Sequence, residues 1–383
     1  MTQTTGRDRY LDALRAIAVV RVVTYHMFAI PWLSWAFPAM GVMFALGGSL
    51  MAASIQRSAA RAVRSRIRRL LPALWAMGLI VVPAMFWHGW TAADDNGRDL
   101  GALVFWVVPL AQPPGNAWAA NVTVVLWYLV TYLWLVLLSP AAWWLFRRQP
   151  FLTVLVPLAL LALLKLGPSL GVTQLDPFAL NGSAAAVMLH VATYGACWCT
   201  GFAHRTGALR RMRLPVLLTA AVACIAAGAA WALIHHGDTG ATDLNSIPPA
   251  QALYSLGVVL LVLRAAPAMS WLRRARPLDA FVTLLNARTV TVYLWHNVAI
   301  AVCFTIGDRL QAWRAGQFGY FAVALVLIAL VVAALGWVED LAAKRRPALF
   351  PIGRPHTAPP SHVATPPPPP ESQQAANLDA HRS

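Results

Sequence analysis

Two ionisable side chains in the first apolar stretch have the types and the spacing to do chemistry. From Leu11 to His26 the chain reads Leu-Asp-Ala-Leu-Arg-Ala-Ile-Ala-Val-Val-Arg-Val-Val-Thr-Tyr-His. At about 100° per helical residue, Arg15 and His26 fall nearly on one face, Asp12 lies close to it, and Arg21 points elsewhere. The rise between Arg15 and His26 is roughly 16 Å. A guanidinium at that depth suits an anionic ligand arriving from the near side. An imidazole farther along, in a dry cavity, suits a general base, because its unperturbed pKa lies near working pH. The same spacing also fits an arginine reaching back to lipid headgroups and a histidine in an ordinary interhelical hydrogen bond.

The second cluster is Arg57, Arg61, Arg64, Arg66, Arg68 and Arg69, six arginines in thirteen residues. Arg66 and Arg69 lead directly into Leu70-Leu71-Pro72, where a helix is expected to start or bend. Guanidinium groups grip phosphates bidentately, so a nucleotide-bearing donor such as coenzyme A fits here. A patch for anionic lipid fits as well. His296, in Tyr293-Leu294-Trp295-His296-Asn297, lies mid-span and is a further candidate for the same cavity. His190 is similarly placed without a surrounding pattern, while His88, His235 and His236 fall at an outer boundary. Cys197 and Cys199 form a lone C-x-C with no second pair nearby, so neither a metal nor a disulfide framework is implied.

The elements that position these groups follow from composition. Apolar residues make up 59% of the 383 positions and charged residues 11%, whereas a soluble domain carries about 25% charged. A chain so poor in charge cannot wet a surface of its size, so lipid must be the solvent for most of it. Ten apolar runs of spanning length are expected over Leu11–Ile30, Leu33–Ile55, Leu70–Trp87, Val122–Phe146, Phe151–Leu166, Ala184–Ala203, Leu214–Ile234, Ile247–Leu263, Leu284–Ile306 and Phe318–Val338. Ala102 to Leu110 is too short to span and reads as interfacial or re-entrant. The first run carries Asp12, Arg15 and Arg21 and no small-residue cleavage site, which argues against a signal peptide.

With the N-terminus inside, the inside segments hold 23 of the 30 Lys and Arg, and the outside loops hold only Arg98, Arg309 and Arg314. A wrong span count would scramble that alternation. The expected architecture is therefore all-α: a polytopic transmembrane helical bundle of about ten spans, multi-pass in the cell membrane, with both termini cytoplasmic. The +16 formal charge is topology signal plus affinity for anionic lipid, and no nucleic-acid partner is needed. Residues 1–350 form the membrane domain. Residues 351–383, with the run Pro366–Pro370, read as a disordered Pro-rich cytoplasmic tail.

These segments together resemble the acyltransferase-3 family of membrane O-acyltransferases. Tyr10-Leu11-Asp12-Ala13-Leu14-Arg15-Ala16-Ile17-Ala18-Val19 followed by His26 looks like that family's first span with its Arg-x10-His pattern. Met43-Phe44-Ala45-Leu46-Gly47-Gly48 resembles its second-span segment, with Gly47 where Ser is usual. Arg66-Ile67-Arg68-Arg69-Leu70-Leu71-Pro72 resembles its Arg-x-x-Arg element before a proline. Leu126-Trp127-Tyr128-Leu129, Tyr293-Leu294-Trp295-His296 and the ending Gly336-Trp337-Val338-Glu339-Asp340 look like its later landmarks.

The resemblance implies transfer of an acyl group, acetyl foremost, from cytoplasmic acyl-coenzyme A to a hydroxyl of a carbohydrate, glycolipid or other cell-envelope acceptor. It implies His26 as catalytic histidine with Arg15 its partner, Arg66 and Arg69 supporting the donor, and no metal. The stretch after Pro351 is too short and polar for the hydrolase-like domain of longer relatives. Acceptor binding is therefore expected to fall to the membrane domain or to a partner. The rival class is a transporter or flippase using the Arg15–His26 pair as a ligand or proton site, although the spans hold few of the acidic residues a proton relay would use.

Overall fold

Each of the ten apolar runs is helical over most of its length, because in lipid the backbone must satisfy its own hydrogen bonds; Leu33–Ile55 is interrupted at Phe37–Pro38 and Leu284–Ile306 at Arg288. The computed structural model describes residues 8–90, 100–166, 182–235 and 243–348. The expected tail, 351–383, lies outside them. In chain order the helices that matter here are α1 (Arg9–Phe28), α2 (Ala39–Ile55), α3 (Ala59–Trp87), α4 (Trp127–Arg148), α5 (Pro150–Leu166) and α6 (Gly182–Arg205). They are followed by α7 (Leu214–Ile234), α8 (Pro248–Ala265), α9 (Arg276–Ala287), α10 (Thr289–Arg309), α11 (Gly316–Leu335) and the short α12 (Trp337–Ala342). Among the described residues there is no strand.

Among the described residues, seven helical stretches, fewer than the ten expected spans, are long and apolar enough to cross a membrane. Helix α1 is not among them, because it carries Arg9, Asp12, Arg15 and Arg21 within 20 residues. Helix α5 is apolar but only 17 residues long. The run after residue 100 forms a short helical segment over Leu100–Val107 that folds back against α3. Trp75 there donates its indole N–H to the Val107 carbonyl at 2.8 Å, and the Trp106 ring lies over Gly78.

Local chemistry fixes the ends. Asp8 caps α1 by accepting the backbone N–H of Tyr10 and Leu11, which satisfies donors that have no intrahelical partner. Ser58 caps α3 through the Arg61 N–H. Helix α3 then runs unbroken through Pro72 and Pro83, so the expected start or bend before Pro72 is not where the helix begins. Its first three turns are the arginine segment itself. Arg66 and Arg69 are thereby one turn apart on a common face.

Helices α2 and α6 cross with their backbones in contact. A Cβ on Gly48 would stand 2.0 Å from the Trp198 carbonyl oxygen, and one on Gly201 would stand 2.1 Å from that of Ala45. Neither obstacle is a side chain that could rotate away. We therefore expect Gly48→Ala to be far costlier than the about 1–3 kcal/mol of ordinary overpacking. It should show as loss of a monodisperse peak after detergent extraction, and a well-behaved Gly48→Ala protein would contradict this crossing.

Gly47 has a related explanation. A Cβ there would meet the Trp198 ring at 2.7 Å and the Tyr132 ring at 3.2 Å. Trp198 is 1% exposed, and its indole donates to the Ser139 hydroxyl at 3.0 Å. The indole occupies the space that a serine at this position would need.

Candidate active site

The first turn of α1 is tied to α9. Arg9 pairs with Asp12 at 3.3 Å, with Asp279, and with the Thr283 hydroxyl at 3.0 Å. One turn farther, the Arg15 Nη1 donates to Asn286 Oδ1 at 3.1 Å. Asn286 in turn donates its amide to the Asp12 and Val282 carbonyls, both at 2.8 Å. This clamp aims Arg15 into a cavity of about 400 Å³ whose wall also includes Arg66, Arg69 and Arg345. Four guanidinium groups against one lining carboxylate, Glu339, give the wall an excess of positive charge suited to an anion. Three of the four candidates from the sequence, Arg15, Arg66 and Arg69, thus meet in one place.

His26 does not line that cavity. It sits near the far end of α1 and is exposed rather than enclosed, which corrects the expectation of an imidazole in a dry pocket on the arginines' face. The link between the two places is aromatic. Tyr128 and Tyr293 line the cavity with ring centroids 4.7 Å apart. The His296 ring lies 5.5 Å from Tyr293 and 5.0 Å from His26. His296 is fully buried and stands behind the cavity wall instead of lining it. Arg21, expected to point elsewhere, is buried. It donates to the Leu33 carbonyl at 3.1 Å and covers the Tyr25 ring at 4.8 Å.

The remaining wall comes from the closing segment. Glu339 accepts the backbone N–H of Thr291 at 2.7 Å and its hydroxyl at 2.6 Å. Burial pushes the Glu339 carboxyl above the usual range, and the Thr291 hydrogen bonds oppose that only in part. Next to it, Arg288 and Asp340 form a buried ion pair at 2.7 Å, and Arg345 reaches Asp340 at 3.0 Å. Burial raises the Asp340 carboxyl too, but here the Arg288 hydrogen bond and charge outweigh it and hold the group below its ordinary value. Arg68 on α3 donates to the Ala342 carbonyl at 3.4 Å, closing α12 onto the arginine helix.

The arrangement therefore combines an arginine-lined cavity, an aromatic wall and a histidine pair beyond it, carried mainly on the first, third, fourth and tenth helices. A family model for the acyltransferase domain of the acyltransferase-3 type matches residues 8–337. The chain belongs to the acyltransferase-3 family. It is a multi-pass membrane acyltransferase, and the matched stretch contains the whole cavity wall except Glu339, Ala343 and Arg345. No curated protein and no solved structure matches the chain.

Sequence reasoning did not single out Asn286, Glu339 or Arg345 as site residues. Asn286 and Arg345 carry no local pattern, and Glu339 is visible only as part of the closing segment. Among the described residues, no three His, Cys, Asp or Glu side chains cluster as a metal site.

Proposed function

We propose that this acyltransferase moves an acyl group, acetyl foremost, from cytoplasmic acyl-coenzyme A to a hydroxyl of a carbohydrate or glycolipid acceptor in the cell membrane. The observation that carries the reading is the convergence of Arg15, Arg66, Arg69 and Arg345 on one cavity. A coenzyme A headgroup bears several phosphate charges, and arginine is the side chain best suited to grip them. Arg66 and Arg69 at the mouth take the phosphates, while Arg15, clamped by Asn286, takes the polar part of the pantetheine arm. The thioester then lies at the Tyr128–Tyr293 end, toward the histidine pair.

There His26 removes the proton of the acceptor hydroxyl. The oxygen attacks the thioester carbonyl, the C–S bond breaks as the new ester forms, and the thiolate of coenzyme A takes the proton back from His26. The exposure of His26 suits this role, because the acceptor must reach the imidazole from the side away from the arginines. With both termini cytoplasmic, that side faces outward, which fits an envelope acceptor.

The test is release of free coenzyme A thiol by the purified protein, with candidate acceptors and acetyl-coenzyme A. Replacing Arg66 and Arg69 together by Gln should raise the apparent KM for the donor by about 10²-fold, at roughly 1.5 kcal/mol for each lost charged contact. The KM for the acceptor should hardly move. An unchanged donor KM would remove the cavity from the reaction, and no thiol release with any hydroxyl acceptor would sink the reading.

A further inference from the structure

His296 is a fully buried polar group of this region that the reaction above leaves unused. Its Nδ1 lies 2.5 Å from the Tyr293 carbonyl oxygen. A carbonyl can only accept, so Nδ1 carries the ring proton and Nε2 presents its lone pair. That Nε2 is enclosed by protein and has no hydrogen-bond partner among the described residues. A buried acceptor without a partner is unfavourable, so its retention here calls for a physical reason.

The neighbour that could supply the missing donor is His26. The two rings meet edge-on, with centroids 5.0 Å apart and planes at 61°. The position of His296 is also firmly set. About one turn before it, Tyr293 donates its hydroxyl to the Val125 carbonyl at 2.9 Å, and directly after it Asn297 donates its amide to the Asn121 carbonyl at 3.0 Å. His26, by contrast, sits on the exposed end of α1 next to a left-handed Ala29. The fixed ring can therefore orient the accessible one.

We propose that His296 is a positioning residue for His26: its Nε2 lone pair accepts the N–H of His26 and so fixes which His26 nitrogen is left free to take the acceptor's proton. The logic is that of a base held in one tautomer by a third group, with a neutral imidazole as the orienting group. The inference rests on the reading of His26 as the base. It adds the device that makes one His26 nitrogen, and not an equal mixture of the two, face the acceptor.

The experiment compares His296→Leu with His296→Gln, whose amide oxygen can reach the place of Nε2. In His296→Leu, kcat should fall by about 10²-fold, a typical worth for a positioned proton acceptor, with both KM values nearly unchanged. His296→Gln should recover most of that loss. Independently, protein labelled with 15N-histidine should show His26 in a single tautomer, assigned by its absence in His26→Ala, and that signal should become a mixture in His296→Leu.

A single unchanged tautomer in His296→Leu overturns the proposal. So does an equal loss of activity and melting temperature in both variants, which would make His296 a core residue only. If His26→Ala itself keeps full activity, the assignment of His26 as base fails instead, and the tautomer signal alone then decides whether the two rings are coupled.

Discussion

Replacing His26 by Ala should abolish acyl transfer while the protein folds, extracts and melts as before. Both halves of that expectation come from the surroundings of the side chain. The imidazole is exposed, and its ring contacts are with Tyr25 and His296 alone among the described residues. Its loss opens no cavity in the main core, so the stability change should stay within the about 0.5 kcal/mol typical of surface substitutions.

The loss of rate is another matter, since a positioned general base contributes about 10²–10⁴-fold and no second histidine in this region has a nitrogen open to the acceptor. His296, the only neighbour of the same type, is fully buried. The measurement is thiol release at saturating donor and acceptor, alongside size-exclusion and thermal profiles in detergent. Donor binding by His26→Ala should persist, because the imidazole is not part of the cavity wall. A variant that keeps its rate would remove His26 from the chemistry. One that loses both rate and fold would leave the histidine a structural residue.

That separation of binding from chemistry explains what the sequence could and could not reveal. Charge and hydropathy act through the solvent, so the all-helical membrane bundle was legible from composition alone, and Arg15 with the Arg57–Arg69 cluster stood out as cations where cations are expensive. The helical period correctly put Arg15 and His26 along one helix. It could not say that the face they share passes two environments, a cavity at one end and open surface at the other, because that depends on which helices pack beside each turn.

Asn286 and Glu339 meet Arg15 and Thr291 across 271 and 48 residues of chain, and no local pattern encodes such pairings. Among the described residues seven helices are apolar and long enough to span, and the absence of α1 from them has a cause of the same kind. Helix α1 keeps four charged residues because each has a partner: Asp279 and Thr283 receive Arg9, Asn286 receives Arg15, Asp12 pairs with Arg9, and the Leu33 carbonyl accepts from Arg21; hydropathy registers the charges and not the partners.

Breaking the Arg288–Asp340 pair should produce the largest loss of stability outside the glycine crossing. Both side chains are almost wholly enclosed, 1% and 2% exposed. Arg288 also donates to the Gly336 carbonyl at 2.7 Å, so the guanidinium binds the end of α11 to the start of α12. Replacing Asp340 by Ala leaves that guanidinium buried with its counter-charge gone, for which about 3–5 kcal/mol is the usual cost. Replacing both, Arg288→Met with Asp340→Leu, removes the stranded charge and should restore most of the melting temperature.

The pH dependence follows with a definite sign. The Asp340 carboxyl is held below its ordinary value in the fold, so its contribution is complete above the unfolded value near pH 4 and is lost as pH falls through the lower folded value. Glu339 runs the other way. Its carboxyl is raised, so what it contributes is present below the ordinary glutamate value and fades as pH rises through the folded one. Thermal melts of the wild type and of Asp340→Ala below pH 4 should therefore converge, and a gap that persists there would show that the ion pair is not what holds this segment. Since α12 brings Glu339 and its flanking Arg345 to the cavity wall, Asp340→Ala should also weaken donor binding at neutral pH, a coupling that a purely structural tie elsewhere in the bundle would not produce.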